Sequence, residues 1–357
     1  VDHAARRARL VERLPELGIE SFLVTSLPNV RFLTGFTGSN GQLLVPAAGD
    51  AVFFTDGRYT EQSSHQVPDI ERITYGADFL KRLAETSVKL GDGGKVGFEA
   101  AHVTYKSFTD LGGAGLDLTP TTDEVERLRW IKDPEEIGYL QAAQDVADRV
   151  FDLIVKQLAE EVTEKEIAFE MDTAMRREGA EAISFETIVA FGPNAAEPHH
   201  EPTDRPLSRG DVVKLDFGSV VDGYHSDMTR TVAFGDPGAQ LREIYEVVRR
   251  SQQAGVDAVR AGAVGGEVDR VSREVIDEAG YGSNYTHSLG HGVGLEVHEG
   301  PTLRANGTDI LPVGTVVTVE PGIYVAGVGG VRIEDMVEVL ESGCRVMPGT
   351  IKELVVL

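Results

Sequence analysis

The sequence predicts an α+β chain of two domains: a smaller α/β domain over residues 1–122, and a larger one over 123–357 whose helices cover a largely antiparallel sheet. Three observations carry this. Over the first 120 residues, short apolar runs bounded by Gly, Pro or Asp alternate with helical patterns, as in an α/β unit. A boundary follows at LTPTTDEVERLRWIKDPEEIGYLQ, which holds two prolines, a threonine run and a helix start. Beyond it, stretches with apolar residues at helical spacing are separated and followed by Val- and Ile-rich strands.

Taken in order, ARRARLVERLPELG has a helical pattern with Gly18 as its C-terminal stop. SFLVT, GQLLV, AVFFT and KVGFE read as strands, and NVRFLTGFTGSNG reads as a polar, glycine-rich loop between two of them. A helix starts at Asp133-Pro134, with acids in its first turn, and runs through EEIGYLQAAQDVADRVFDLIVKQL. TEKEIAFEMDTAMRREGA forms the next, capped by Thr163 with Glu166 three residues on. A third spans roughly 239–261 and a fourth 266–279. The chain shows no short internal repeat and no low-complexity tract.

Composition narrows the class. Apolar residues make up 41% of the 357, enough for substantial cores, yet no apolar run is long enough to span a membrane. VDHAARRARLVERL is charged and amphipathic, unlike the apolar core of a secretory signal. Cys344 is the lone cysteine, which rules out an intrachain disulfide and suits a cytoplasmic location. With 34 basic against 58 acidic residues, the net charge of −24 argues against nucleic-acid and anionic-membrane partners.

The chemistry begins in VVKLDFGSVVDGYHSDMTRTVAF. Asp222-Gly223 between two β-rich runs is a strong two-residue hairpin signal. With those two as the turn, 216 faces 229 and 218 faces 227, so 216, 218, 227 and 229 share one face. Asp216 and Asp227 become diagonal neighbours roughly 7–8 Å apart at their backbones. That suits carboxylates converging on two ions about 3.5–4 Å apart. Either Asp alone reads equally well as a surface residue; two on one face of an apolar hairpin are harder to place that way.

A second acidic pair lies downstream. Glu320 closes the apolar run TVVTVE just before a proline, and Glu334 interrupts VRIEDMV, sharing a face with Arg332 opposite Val331 and Ile333. Among the nine histidines, His287, His291 and His298 cluster in THSLGHGVGLEVHEGP, where Gly290, Gly292 and Gly294 would let the backbone approach an ion. His3, His65, His102, His200 and His225 read as surface or locally bonded residues. An oxygen-rich donor set with one nitrogen suits Mn²⁺ or a similar divalent ion better than a structural zinc site. P-loop and GxSxG motifs are absent, and GVGGVR, GAVGG and LGGAG lack the strand-turn-helix context of a dinucleotide site.

The order Asp216, ten residues, Asp227, then His291, Glu320 and Glu334 resembles the ligand set of the pita-bread metallopeptidases of family M24 (the creatinase/aminopeptidase fold). PHHEPTDRPLSRGD, HSLGHGVGLEVHEGP, VEPGIY and VRIEDMV are similar to that family's segments, and NVRFLTGFTGSNG and FFTDGRYTEQ to the N-terminal domain shared by aminopeptidase P and prolidase. The resemblance implies a pita-bread catalytic domain and two bound divalent cations, manganese first, with cobalt or zinc able to substitute. Asp216 would hold one metal, His291 and Glu320 the other, and Asp227 and Glu334 would bridge them. Glu320 would shuttle a proton, His199, His287 and His298 would position substrate and steady the intermediate, and Arg332 and Tyr324 would line the leaving-group side. Homodimers are common among such relatives.

Within the family, methionine aminopeptidases usually lack the N-terminal domain, and creatinase has lost the ligands present here. The resemblance leaves aminopeptidase P, which cleaves before a proline at the second position of a peptide, and prolidase, which acts on Xaa-Pro dipeptides. Short prolidases carry an Arg after the second histidine in an H-E-x-P-R segment. This chain has HEGPT, with Thr302 there and Arg304 two positions on, so the expectation is aminopeptidase P, with prolidase as the alternative. A pita-bread domain used only as a peptide-binding module is a more remote one.

Overall fold

The computed structural model describes residues 1–91 and 94–357. Their contacts divide the chain into two units, Val1–Arg129 and Trp130–Leu357.

In the first unit six strands form one mixed sheet, in the order Glu71–Tyr75, Val52–Asp56, Gln42–Pro46, Ser21–Val24, Lys95–Glu99 and Asp117–Thr121. The two central hairpin pairings are antiparallel and the outer ones parallel. The four strands expected from sequence are among them. The helix His3–Leu17 is capped by the Asp2 side chain and stops at Gly18, whose φ of 65° only glycine adopts freely. One expectation is corrected. The first half of NVRFLTGFTGSNG is not loop, because Leu27–Thr34 is a helix with Pro28 in its first turn and a left-handed Gly35 at its end. Burial of Val30, Phe32 and Leu33 overrides the glycine-rich punctuation that follows.

In the second unit the pairings between the described strands are antiparallel, and a parallel bridge adds Val356 of the C-terminal segment to Ala233. Pro134–Ile154 and Glu164–Arg177 each begin with a complete capping box, Asp133 with Glu136 and Thr163 with Glu166. Their apolar faces pack on Val213, Leu215, Phe217, Met228 and Val232 of the long central hairpin. Ala239–Ala258, three residues shorter than its pattern, and Gly265–Glu278 pack instead on Ile323, Val331 and Ile333 and on Val317, Val319 and Val337.

The hairpin places the site. Asp222 and Gly223 both have positive φ, 48° and 72°, as a type I′ turn requires. Thr229 faces Asp216, the register the sequence predicted. Both arms pass between two sheets, the first at Gly218 and the second at Ser226-Asp227, and a Cβ at Gly218 would meet the Ser226 carbonyl oxygen at 1.8 Å, so the arms touch backbone to backbone. Because side chains alternate, residues 213, 215 and 217 fill the helical core while Lys214 and Asp216 face the other way.

Candidate metal centre

Five separate segments deliver the predicted donors to one cavity of about 590 Å³. Asp216 lies in the Asp211–Phe217 strand and Asp227 just ahead of Met228–Phe234. His291 is the middle residue of Gly290–Gly292, Glu320 follows Val316–Val319, and Glu334 joins Gly329–Arg332 to Asp335–Val339. All five line the cavity, with His199, His287, His298 and Arg332. Tyr324 does not; it is buried beneath, its hydroxyl held by Arg332 at 2.8 Å and by His287 Nε2 at 2.9 Å.

Asp227, His291 and Glu334 present donor atoms that all lie within 4.8 Å of one another. His291 Nδ1 donates to the Gly292 carbonyl at 3.0 Å, which leaves Nε2 aimed at Glu320 and Asp227, 3.4 and 3.6 Å away. Glu334 is held by the Thr229 hydroxyl at 2.7 Å, and that hydroxyl in turn accepts from Arg332 Nε at 3.0 Å. Thr318 stands between His291 and Glu320, accepting from the His291 N–H at 3.1 Å and donating to Glu320 at 3.4 Å. Asp216 pairs with Arg332 through one oxygen, while the other is buried without a partner.

Electrostatics show what this cluster lacks. Burial, then the charges of Glu334, Asp216 and Glu320, push Asp227 well above the usual carboxylate range. Glu334 is raised in the same way by burial and by Glu320 and Asp216. At Glu320 burial also acts upward, but His291 outweighs it and the carboxyl sits below its ordinary value. Four converging carboxylates, a partnerless buried oxygen and an imidazole with its free nitrogen turned inward fit divalent cations of the hard to borderline kind.

The histidines divide by environment. Both His287 nitrogens are engaged, Nδ1 donating to the Ser288 carbonyl at 2.8 Å and Nε2 facing the Tyr324 hydroxyl. His199 and His298 are exposed at the cavity. Although His298 is exposed, partial desolvation and then the neighbouring His291 hold it below its ordinary pKa, which favours the neutral imidazole. Of the histidines read as surface or locally bonded, His65 pairs within a turn, with Glu61; His3, His102, His200 and His225 bond the Phe32 carbonyl, Glu126, Glu164 and Ser184 across the fold, and His200, which is buried, also lines the cavity. The expected reason for the glycines changes. A Cβ at Gly290 would meet the Thr318 carbonyl at 2.0 Å, one at Gly292 the Gly300 carbonyl at 2.1 Å, and one at Gly294 the Glu299 carboxylate at 2.4 Å, so close packing of protein against protein explains them.

Sequence reasoning missed Thr229, Thr318 and Lys214. Lys214 is fully buried and donates to the Ala195, Glu197 and Pro198 carbonyls; burial, then nearby Arg332, lowers its pKa to about 6. Its place two residues before Asp216, hence on the same strand face, was the available signal.

Known proteins show the same architecture. Residues 138–341 match the model of metallopeptidase family M24, and residues 6–131 that of the creatinase/prolidase N-terminal domain. A Bacillus subtilis protein described as uncharacterized peptidase YqhT is 43% identical over 344 residues, covering 96% of this chain and 97% of its own. The solved Xaa-Pro dipeptidase from Bacillus anthracis is 39% identical, covers all of both chains and has a TM-score of 0.97. The X-Pro aminopeptidase from Thermotoga maritima is 36% identical, covers 97% of this chain and 99% of its own, and has a TM-score of 0.89.

Proposed function

The chain belongs to metallopeptidase family M24, and from that premise we propose that it removes the N-terminal residue preceding a proline from peptides, as an aminopeptidase P does. The observation that carries the reading is convergence: Asp216, Asp227, His291, Glu320 and Glu334 line one cavity with His199 and His298. Asp216 would hold one cation and His291 with Glu320 the other, with Asp227 and Glu334 shared between them. Manganese suits this oxygen-rich set, and cobalt or zinc could take its place. Bound cations would supply Lewis-acid activation of water and of the scissile carbonyl.

The protein's own groups would do the rest. Glu320 would take the proton lost by the attacking water and hand it to the leaving proline nitrogen. His298, neutral and exposed, and His199 would donate hydrogen bonds to the carbonyl oxygen as charge develops there. His287 would act through Tyr324, since both its nitrogens are engaged, and Arg332 would fix Asp216 and Tyr324. Phe185 and Ile188, with Pro198 and Pro202, give the cavity an apolar wall suited to a pyrrolidine ring.

Thr302 bears on substrate length. Its N–H and hydroxyl both donate to Asp309 at 3.0 Å, so this position serves its own loop and offers no cation to a dipeptide's carboxylate. The second reading, an Xaa-Pro dipeptidase, is favoured by Arg304, which lines the cavity two residues on, and by the name of the Bacillus anthracis neighbour. A binding-only role fits poorly with a complete donor set. Comparing Xaa-Pro-Xaa tripeptides with Xaa-Pro dipeptides tests the choice. We expect higher kcat/KM on tripeptides and little effect of Arg304→Ala on them. A dipeptide preference abolished by Arg304→Ala would replace the first reading with the second. The homodimer and cytoplasmic location belong to the same proposal, the first resting on family resemblance and the second on the lone Cys344.

A further inference from the structure

Outside the donor cluster, one buried carboxylate gathers five donors. Glu164 opens the Glu164–Arg177 helix, and its side chain has no solvent exposure. Oε1 accepts from the Phe191 N–H at 2.8 Å and from Asn194 Nδ2 at 3.0 Å. Oε2 accepts from the Thr203 N–H at 2.9 Å, the Thr203 hydroxyl at 2.6 Å and His200 Nε2 at 2.9 Å. Helix capping does not require this carboxylate, because Thr163 and Glu166 already form a complete capping box. Burying it without purpose would be costly.

All five donors belong to the segment 191–203, and they bracket His199. The same segment is held by Lys214 Nζ, which donates to the Ala195, Glu197 and Pro198 carbonyls, and by Arg332 Nη1, which donates to Pro198 at 3.2 Å. No described residue hydrogen-bonds the His199 ring itself, so the ring is placed by the backbone that carries it. We propose that Glu164 is a positioning residue: its carboxylate fixes the 191–203 segment so that His199 presents its imidazole to the substrate. The proposal rests on the peptidase reading for its kinetic consequence, and on geometry alone for the clamp.

A double-mutant cycle tests it on the full-length, metal-loaded protein. Glu164→Gln keeps the shape but sets an NH₂ against N–H and O–H donors, and should lower kcat/KM on an Xaa-Pro peptide by about 10–100-fold, the scale of outer-shell support. In a His199→Ala background the same change should cost less than about threefold, since coupled sites do not add. Mn²⁺ affinity by calorimetry should stay within about twofold of the unmutated protein, because no proposed ligand is touched. By hydrogen exchange, the Phe191 and Thr203 amides should open at least about tenfold faster in Glu164→Gln, with Val213 unchanged. Should Glu164→Gln fail to fold, Thr203→Val removes one donor at an exposed residue, and should give a smaller loss with the same dependence on His199. Unchanged kcat/KM, or losses that multiply with His199→Ala, would overturn the proposal. If the unmutated protein cleaves no Xaa-Pro peptide, the peptidase reading fails, and the exchange arm still decides: unaltered Phe191 and Thr203 amides would sink the clamp as well.

Discussion

Glu334 shows most sharply what single residues demand here. It is 2% exposed, raised well above its ordinary pKa by burial and neighbouring carboxylates, and bonded by the Thr229 hydroxyl. Packing alone gives no reason to keep such a group; bound cations would. Replacing Asp227 or Glu334 with Ala should therefore lower kcat/KM by more than about 100-fold, beyond the range for outer-shell changes. It should also abolish tight Mn²⁺ binding in calorimetry. Thr229→Val leaves the proposed ligands in place and should weaken metal binding by about 10–100-fold. Substantial activity in Asp227→Ala would contradict the shared-ligand assignment. The five proposed ligands were legible because carboxylates and an imidazole are out of place in apolar and glycine-rich strands. Thr229 and Thr318 were not, since threonine is at home in any strand and only tertiary pairing with Glu334 and Glu320 gives these two a task.

Elements set the register of those residues. Asp222-Gly223 fixed the pairing of Asp216 with Thr229 from sequence alone, because a type I′ turn leaves no freedom in register. What sequence could not reveal is that the hairpin changes sheets at Gly218, where Ser226 leaves no room for a side chain. Gly218→Ala should cost more than about 2 kcal/mol in urea unfolding, as an overpacked backbone contact in a buried hairpin. A loss below that would mean the arms can part cheaply. The Leu27–Thr34 helix escaped reading for a different reason. Eight residues carry too few turns for a clear period, and Pro28 and Gly35, which punctuate a loop elsewhere, are here its start and stop.

At the scale of the whole second unit, a buried charge network ties the C-terminal segment to the site's scaffold. Asp335 is fully buried and accepts from Arg230 Nη2 at 2.7 Å, Gln252 at 2.9 Å and Lys352 at 2.9 Å. Burial acts to raise its pKa, but Arg230 and Lys352 outweigh it and hold the carboxyl below its ordinary value. A depressed folded pKa means this stabilisation is complete above the ordinary Asp range and is lost as pH falls through the folded value. Tm should therefore drop as the pH is taken below about 4, and Asp335→Asn, less stable at neutral pH, should show a shallower drop. Parallel Tm curves would exclude that role. The two-domain plan was readable because strand alternation and helical periods are local signals, whereas this network joins residues more than a hundred positions apart. On the proposed function, the cavity around Asp216, Asp227, His291, Glu320 and Glu334 would be a two-metal peptidase centre. This is tested most directly by stripping the protein of metal and titrating Mn²⁺ back while following Xaa-Pro-Xaa cleavage and binding stoichiometry together. Cleavage that is absent without metal and returns as two ions bind is the predicted result; failure to cleave any Xaa-Pro peptide at any Mn²⁺, Co²⁺ or Zn²⁺ loading would contradict it.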